Sequence, residues 1–407
     1  MTTLSVAVSG QALLHGAIDL STPGADQVRA VLAQSDAAIV NLEATLETDG
    51  TWPTKTKTLH LTNADGIASL RALGFNGLTH ANNHAFDLGP PGIVNTRSIA
   101  ESQGFQFAGS GIDRRSAARV ASIATSHGPI AFLSVDLGPQ PDIVYASVER
   151  AGINPLRVRR KVSVPPHEFE TLRTIVSTLG DDRREAARAA VGYRSDLPNA
   201  ARLLEVFGTE VSEGQAIKNR FEADRDDLAA LEKLLAEARA TSAIVAIALH
   251  NHHWDPDWSR SPAWVLDLSR RLIDMGADLV FGTGAPVLQG VAFHRNRPIL
   301  AGLGNLIFHT RRSDTYDRQG VDVWTGAVCR CVFDVSGRAC TRLEILPVAV
   351  GRPAPSPGAS APAPTPLNEH DAERVLEAMT AELSAEDRAR VVRLDPRALA
   401  VRSASTE

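Results

Sequence analysis

The segment Leu78–Gly89, LTHANNHAFDLG, sets two amides, two imidazoles and a carboxylate at the end of an apolar run. Gly74–Leu78 reads as a short strand, and Asn82 and Asn83 tolerate the turn geometry that would end it. Gly89-Pro90-Pro91-Gly92 closes the loop, and a helix is expected from Ile93. Polar groups delivered at the carboxyl end of a strand mark the place where an open α/β sheet holds a reactive site. In the bland alternative, Asn82 and Asn83 only turn the chain and His80 and His84 lie on the surface.

The same pattern recurs along the chain. Strands are expected at Leu4–Val8, Ala37–Leu42, Phe105–Ala108, Pro129–Val135, Ala243–Leu249, Asp278–Phe281, Val287–Phe293, Ile299–Leu303, Val321–Val332 and Arg342–Val350. Helices at Gln27–Gln34, Ala64–Leu73, Ile93–Gln103 and Pro262–Met275 alternate with them, which predicts an α/β fold with mostly parallel or mixed sheets. Several strand ends carry polar residues: Gln11, Glu43, Asn83 with His84, and His250 with His252, joined by the turn at His294. Thr51–Leu61 is polar and Lys-rich and reads as a mobile loop or edge hairpin. From about 136 to 240 the composition shifts to Arg, Asp, Glu and Ala. Helical runs are expected there at Pro166–Leu179, Asp182–Ala190, Pro198–Phe207 and Asp224–Ala240, making a helical insertion in a 1–350 domain. Arg157, Arg159, Arg160 and Lys161 read as a solvated face. Residues 351–367, rich in Pro, Ala and Ser, read as a linker, and 368–407 as a helical tail.

Composition narrows the partners. With 42 basic and 47 acidic side chains and a net charge of −5, nothing pulls the chain toward nucleic acid or an anionic membrane. No apolar run is long enough for a membrane span. MTTLSVAVSG reads as a first buried strand rather than a secretory signal. Cys329, Cys331 and Cys340 are expected as buried, reduced thiols, which suits a cytoplasmic protein. Oligomeric state is not legible.

The ordered pieces VNLEATL, ANNHAFDLG, FAGSG, Leu249-His250, GADLVFG with VLQGV, and RPILAGLGNLIF give the chain its resemblance. It resembles the CapA-type proteins, named for poly-γ-glutamate capsule synthesis. That resemblance implies a calcineurin-like metallophosphatase fold of layered mixed sheets flanked by helices. Two departures stand out. Gln11 takes the place of the family's usual Asp, and Gly282-Thr283-Gly284-Ala285-Pro286 takes the place of a Gly-His-His-Pro-His run. A two-metal hydrolase clamps oxygens between ions roughly 3.5–4 Å apart, and the ligands lost here disfavour that chemistry.

Gln11, Glu43, Asn83 and His250 are left as the expected metal ligands. Oxygen dominates this set, so one hard divalent ion is expected, Ca²⁺ favoured with Mg²⁺ or Mn²⁺ possible, and no organic cofactor. His84, His252 and His294 remain as free acid–base groups, with Asp87, Asp255 and Asp257 available to orient them. One Lewis-acidic ion flanked by bases is the equipment for removing a proton next to a carbonyl. The chain is similar to a lasso-peptide epimerase of this CapA-like type. That similarity implies inversion of the C-terminal residue, tryptophan expected, of a ribosomal precursor peptide. Trp52, His60 and Trp258 would then help form a groove, with Trp254, His253 and Asn305 as substrate-binding residues. The alternatives are a metal-dependent phosphoesterase or poly-γ-glutamate synthesis accessory protein, and a non-catalytic peptide-binding scaffold.

Overall fold

The computed structural model describes residues 2–56, 58–140, 142–193, 203–353 and 360–395. These form two compact units, one of Met1–Leu156 with Asp227–Glu407 and one of Arg157–Asp226.

In the larger unit two mixed sheets share one apolar layer. The first sheet runs in the order Thr365–Pro366, Ala339–Ala349, Thr325–Asp334, Thr3–Leu13, Ala37–Leu42, Gly77–Thr79, Gln106–Ala108. Asn305–Phe308 also pairs with Thr3–Leu13, and Val391–Arg393 with Ala339–Ala349. The second sheet runs Val291–His294, Arg297–Leu300, Leu279–Thr283, Ile244–His250, Ile130–Asp136, Ala121–Ile123. Strand alternation sorts the side chains. Leu4, Val6, Val8 and Ile39 turn toward Phe132, Ile244 and Phe281 of the second sheet. Ala7, Ala38, Val40 and Leu42 turn the other way, against Val28, Val31, Ile67 and Leu70 of two helices. Full burial of each such Leu, Ile or Phe contributes roughly 1.5–3 kcal/mol.

Local rules account for those helices. Pro23–Ala33 starts on Thr22, whose side chain accepts from the Ala25 N–H. Ala64–Leu73 starts on Asn63 in the same way and stops at Gly74, whose φ of 122° suits only glycine. Gly89–Ser102 begins before the expected Ile93, because Pro90 and Pro91 fit a first turn that needs no N–H donors. All three cysteines are free and buried.

The smaller unit differs from the helical insertion expected. Its helices Pro166–Leu179 and Asp181–Ala190 accompany a four-stranded sheet ordered Leu203–Val206, Thr209–Glu213, Val158–Val164, Lys218–Ala223. Val164, Phe169, Val176 and Val211 form its core. The basic run lies on the Val158–Val164 strand, where Lys161 pairs across strands with Glu210 and Glu222. Helix-favouring composition masked this strand, whose pairing rests on partners distant in sequence. The expected helix at Pro198–Phe207 is a strand from Leu203, and residues 198–202 lie outside the described residues.

The Pro-rich segment also differs from a free linker. Ala361–Pro362 pairs with Ile18–Asp19 and Thr365–Pro366 with Val348 and Ala349, while 354–359 lie outside the described residues. The tail packs through Ala372 and Met379 of the helix Glu369–Thr380. It continues as a short helix, Ala385–Arg388, and the parallel strand Val391–Arg393, where one helix was expected; residues 396–407 lie outside the described residues.

The starts of the second sheet's strands are tied by Asp278, which has no exposed surface. Its carboxylate accepts from Arg239, Arg297, Arg338 and the Val245 N–H. Removing the carboxylate would leave three guanidiniums facing one another. Asp278→Asn should therefore lower stability by roughly 3–5 kcal/mol in urea unfolding; a loss under about 1 kcal/mol would show the cluster to be solvated surface charge.

Candidate metal and acid–base site

Parallel pairing brings the strand ends of both sheets together. Gln11 lies level with Asn41 and Asn305 in the first sheet. Asp136, His250 and Thr283 are level in the second. Glu43 follows directly on Ala37–Leu42, and the Asn83 loop follows Gly77–Thr79. Asn83 Oδ1 lies 2.9 Å from His250 Nε2 and 3.0 Å from His252 Nε2, and the two nitrogens are 3.0 Å apart. Glu43 Oε1 is 3.8 Å from His250 Nε2. On its other side His250 Nδ1 meets Thr283 Oγ1 at 2.9 Å. With Nδ1–H donating there, Nε2 presents its lone pair to the cluster.

Glu43, His250 and His252 can hold one cation between them, and Asn83 adds an amide oxygen. Glu43 Oε2 is buried without a hydrogen-bond partner among the described residues. Burial pushes the Glu43 carboxyl up to about 8, the charge of Asp87 adding to this and Lys55 opposing it. Burial, with His252 close by, holds His250 well below the ordinary imidazole range. Two imidazoles, an amide oxygen and a buried carboxylate stand within reach of one point. That is the chemistry of a cation site.

A second group adjoins the first. His84 Nδ1 lies 2.7 Å from Asp87 Oδ2, so Nδ1–H donates and Nε2 is the basic nitrogen. Asp87 Oδ1 is 2.7 Å from Lys55 Nζ, with both side chains buried, and Lys55 also donates to the Asn83 carbonyl oxygen. The His60 N–H donates to Asp87 Oδ2 at 2.9 Å, and the His60 ring stands 4.1 Å from the His84 ring. Burial would raise Asp87, but His84 and Lys55 hold it below the usual carboxylate range. Burial first, and then the charges of His84, His15, Lys55 and Arg312, push His60 down to about 2.

The other expected site residues are distributed as follows. Gln11 Oε1 accepts from the Gly284 N–H at 2.7 Å, holding a turn rather than joining the donors. Gly284 has φ 101°, and a Cβ there would strike the Asn251 carbonyl. His252, expected as a base, lies among the metal donors. The Trp254 ring lies tilted 5.2 Å from His252 and 4.5 Å from Trp258, and its indole N–H donates to the Asn251 carbonyl. His253 turns away to the Leu137 carbonyl and the Trp264 ring. Asn305 is fully buried and donates to the Pro286 and Val323 carbonyls. Asp257 binds Ser259 on the surface rather than orienting an imidazole.

His294 is not brought to the site. It pairs with Asp274 and lies opposite Arg297, which binds Asp278 at the start of the strands whose far ends carry His250 and Thr283. At about 3.3 Å per residue, roughly 15 Å of strand separates the two ends. A turn flanked by arginines carried no information about which end of the sheet it occupies.

Lys55 and Asp136 were not expected as site residues, and His60, expected to help form a groove, lies against His84 and Asp87. Asp136 accepts from the Gly138 N–H and Tyr145 hydroxyl, and burial pushes it up to about 7. The strand-end rule that picked Glu43 applies equally to Asp136. Lys55 had no signal, because its loop is polar and only the fold buries its side chain.

Residues 5–310 match the family model described as bacterial capsule synthesis protein PGA_cap. Two uncharacterized proteins of Sinorhizobium fredii are each 31% identical over 258 residues, covering 61% of this chain and 53% of theirs. The chain thus spans about half the length of those relatives. A protein named probable polyglutamine synthesis accessory protein, from Mycobacterium tuberculosis, is 23% identical over 78% of this chain and 67% of its own. A crystal structure titled as a novel phosphatase of Mycoplasma pneumoniae aligns at a TM-score of 0.44 and 10% identity, over 86% of this chain and 94% of that one. With three quarters of its length matched by one family model, the chain belongs to the bacterial capsule synthesis protein family PGA_cap.

Proposed function

We propose that this cluster is a peptide epimerase site, inverting the Cα centre of the C-terminal residue, tryptophan expected, of a ribosomal lasso-peptide precursor. The observation that supports it most is a division of labour. One set of donors (Glu43, Asn83, His250 and His252) suits a single divalent ion, and a separate imidazole beside it, His84, is oriented by a buried carboxylate.

Such an ion would supply Lewis acidity toward the carbonyl oxygen next to Cα. His84 Nε2 takes the Cα proton, and Asp87 fixes its tautomer and steadies the imidazolium that forms. Return of a proton to the opposite face inverts the centre. Lys55 flanks Asn83 and Asp87 with a fixed positive charge, which disfavours a second dication on that side. Two oxygens and two imidazole nitrogens suit Mn²⁺ better than the Ca²⁺ expected from an oxygen-rich set. A second reading, an accessory role in polyglutamine synthesis, is supported by the likeness to the mycobacterial relative, with phosphoester hydrolysis as the other alternative.

In D₂O, wild-type protein with Mn²⁺ and precursor peptide should place one deuterium at the C-terminal Cα with no other mass change. His84→Ala and Glu43→Ala should each slow this by roughly 10²–10⁴-fold while melting normally. Near-normal exchange in both variants would remove these assignments, and hydrolysis of an aryl phosphate without exchange would favour the phosphoester alternative.

The buried charges make a separate prediction. With Glu43, Asp87 and Asp136 ionised against Lys55 alone, two negative charges stand uncompensated, the charge of one divalent cation. A carboxyl raised to about 8, like Glu43, loses its contribution to stability as pH climbs from the unfolded value to 8. The lowered histidines His60, His80, His250 and His309 give their full contribution above about 6.5 and change nothing beyond it. Metal-free protein should therefore melt lower at pH 8 than at pH 6.5, and saturating Mn²⁺ should reverse the trend. A melting temperature that rises over that window without metal would contradict the charge assignment.

A further inference from the structure

We infer that Arg312, with Arg311 beside it, recognises a substrate carboxylate beside the loop that carries Lys55 and His60. This rests on the peptide reading above and names the group by which the peptide end is held.

Arg312 is exposed but tethered: its Nη2 donates to Thr58 Oγ1 at 3.2 Å, joining it to the loop that carries Lys55 and His60. One helical turn on, Tyr316 is half-buried against Phe308, their rings 5.6 Å apart. Burial raises the Tyr316 hydroxyl, with Arg312 opposing and Glu43 adding, so Tyr316 stands within electrostatic reach of both the guanidinium and the metal donor. Arg311 stands likewise near His15. Neither arginine has an acidic partner among the described residues. Elsewhere in the chain arginines such as Arg29, Arg97, Arg114, Arg239 and Arg330 each hold a carboxylate.

Glu43, Asp87 and Asp136 are buried, and Lys55 with one divalent ion would balance their charge. A guanidinium presents a planar fork that matches a carboxylate in two parallel hydrogen bonds. The terminal carboxylate is itself the carbonyl group next to Cα, and each of its oxygens has a second lone pair, so the fork can hold it while one oxygen is left for the ion. An amide-terminated peptide offers the fork one neutral acceptor instead of two charged ones.

Titration calorimetry of the full chain with Mn²⁺ tests this, using a short peptide ending in tryptophan as the free acid and as its C-terminal amide. Wild type should bind the acid roughly tenfold or more tightly than the amide. Arg312→Gln should lose that preference without a change in melting temperature, and Arg312→Lys should recover part of it. Equal binding of acid and amide by wild type, or a preference retained in the Arg311→Gln/Arg312→Gln double variant, would overturn the inference. The preference without deuterium exchange would uphold carboxylate recognition and sink the epimerase reading. Exchange without the preference would do the reverse.

Discussion

Asp87 is a carboxylate with no contact with water that nevertheless stays charged, and the site is arranged around meeting that demand. A buried charge is tolerable only when paired and hydrogen-bonded. Lys55 supplies the countercharge, and His84 and the His60 N–H supply the hydrogen bonds. In doing so Asp87 closes a loop onto the strand-end motif, since the Thr54 N–H and hydroxyl bond the Asp87 and Phe86 carbonyls of the same turn. One side chain therefore orders a segment that its composition marks as mobile, and orients the imidazole we assign as the base.

The second constraint is register. A slip of one residue in either sheet would turn its polar end groups to the opposite face. The pairing of Asp136, His250 and Thr283 is continuous with seven aligned residues of fully buried strand. Where the first sheet departs from regular pairing, it does so beside the site, with register shifts on either side of Gln11. The bulge is what turns Gln11 toward the Gly284 N–H, while Asn305, level with it, is spent on backbone carbonyls.

At the coarse level the chain is an α/β member of the PGA_cap family with a cluster of side chains that can hold a metal ion. Gln11 is held by the Gly284 N–H, which leaves one set of donors with the His84 imidazole beside it.

Alternation of apolar runs with helix signals was enough to anticipate the layered α/β fold, because strands buried on both faces must be apolar throughout and leave their mark in any window. Strand-end position likewise singled out Glu43, Asn83, His84 and His250 from sequence. Tertiary structure alone decided which of the polar groups meet. It drew His252 into the donors and left His294 at the far end of the same sheet. It also buried Lys55 from a hydrophilic loop and made strands of a segment rich in helix formers. Each of these depends on contacts between residues distant along the chain, whose energies local composition does not encode.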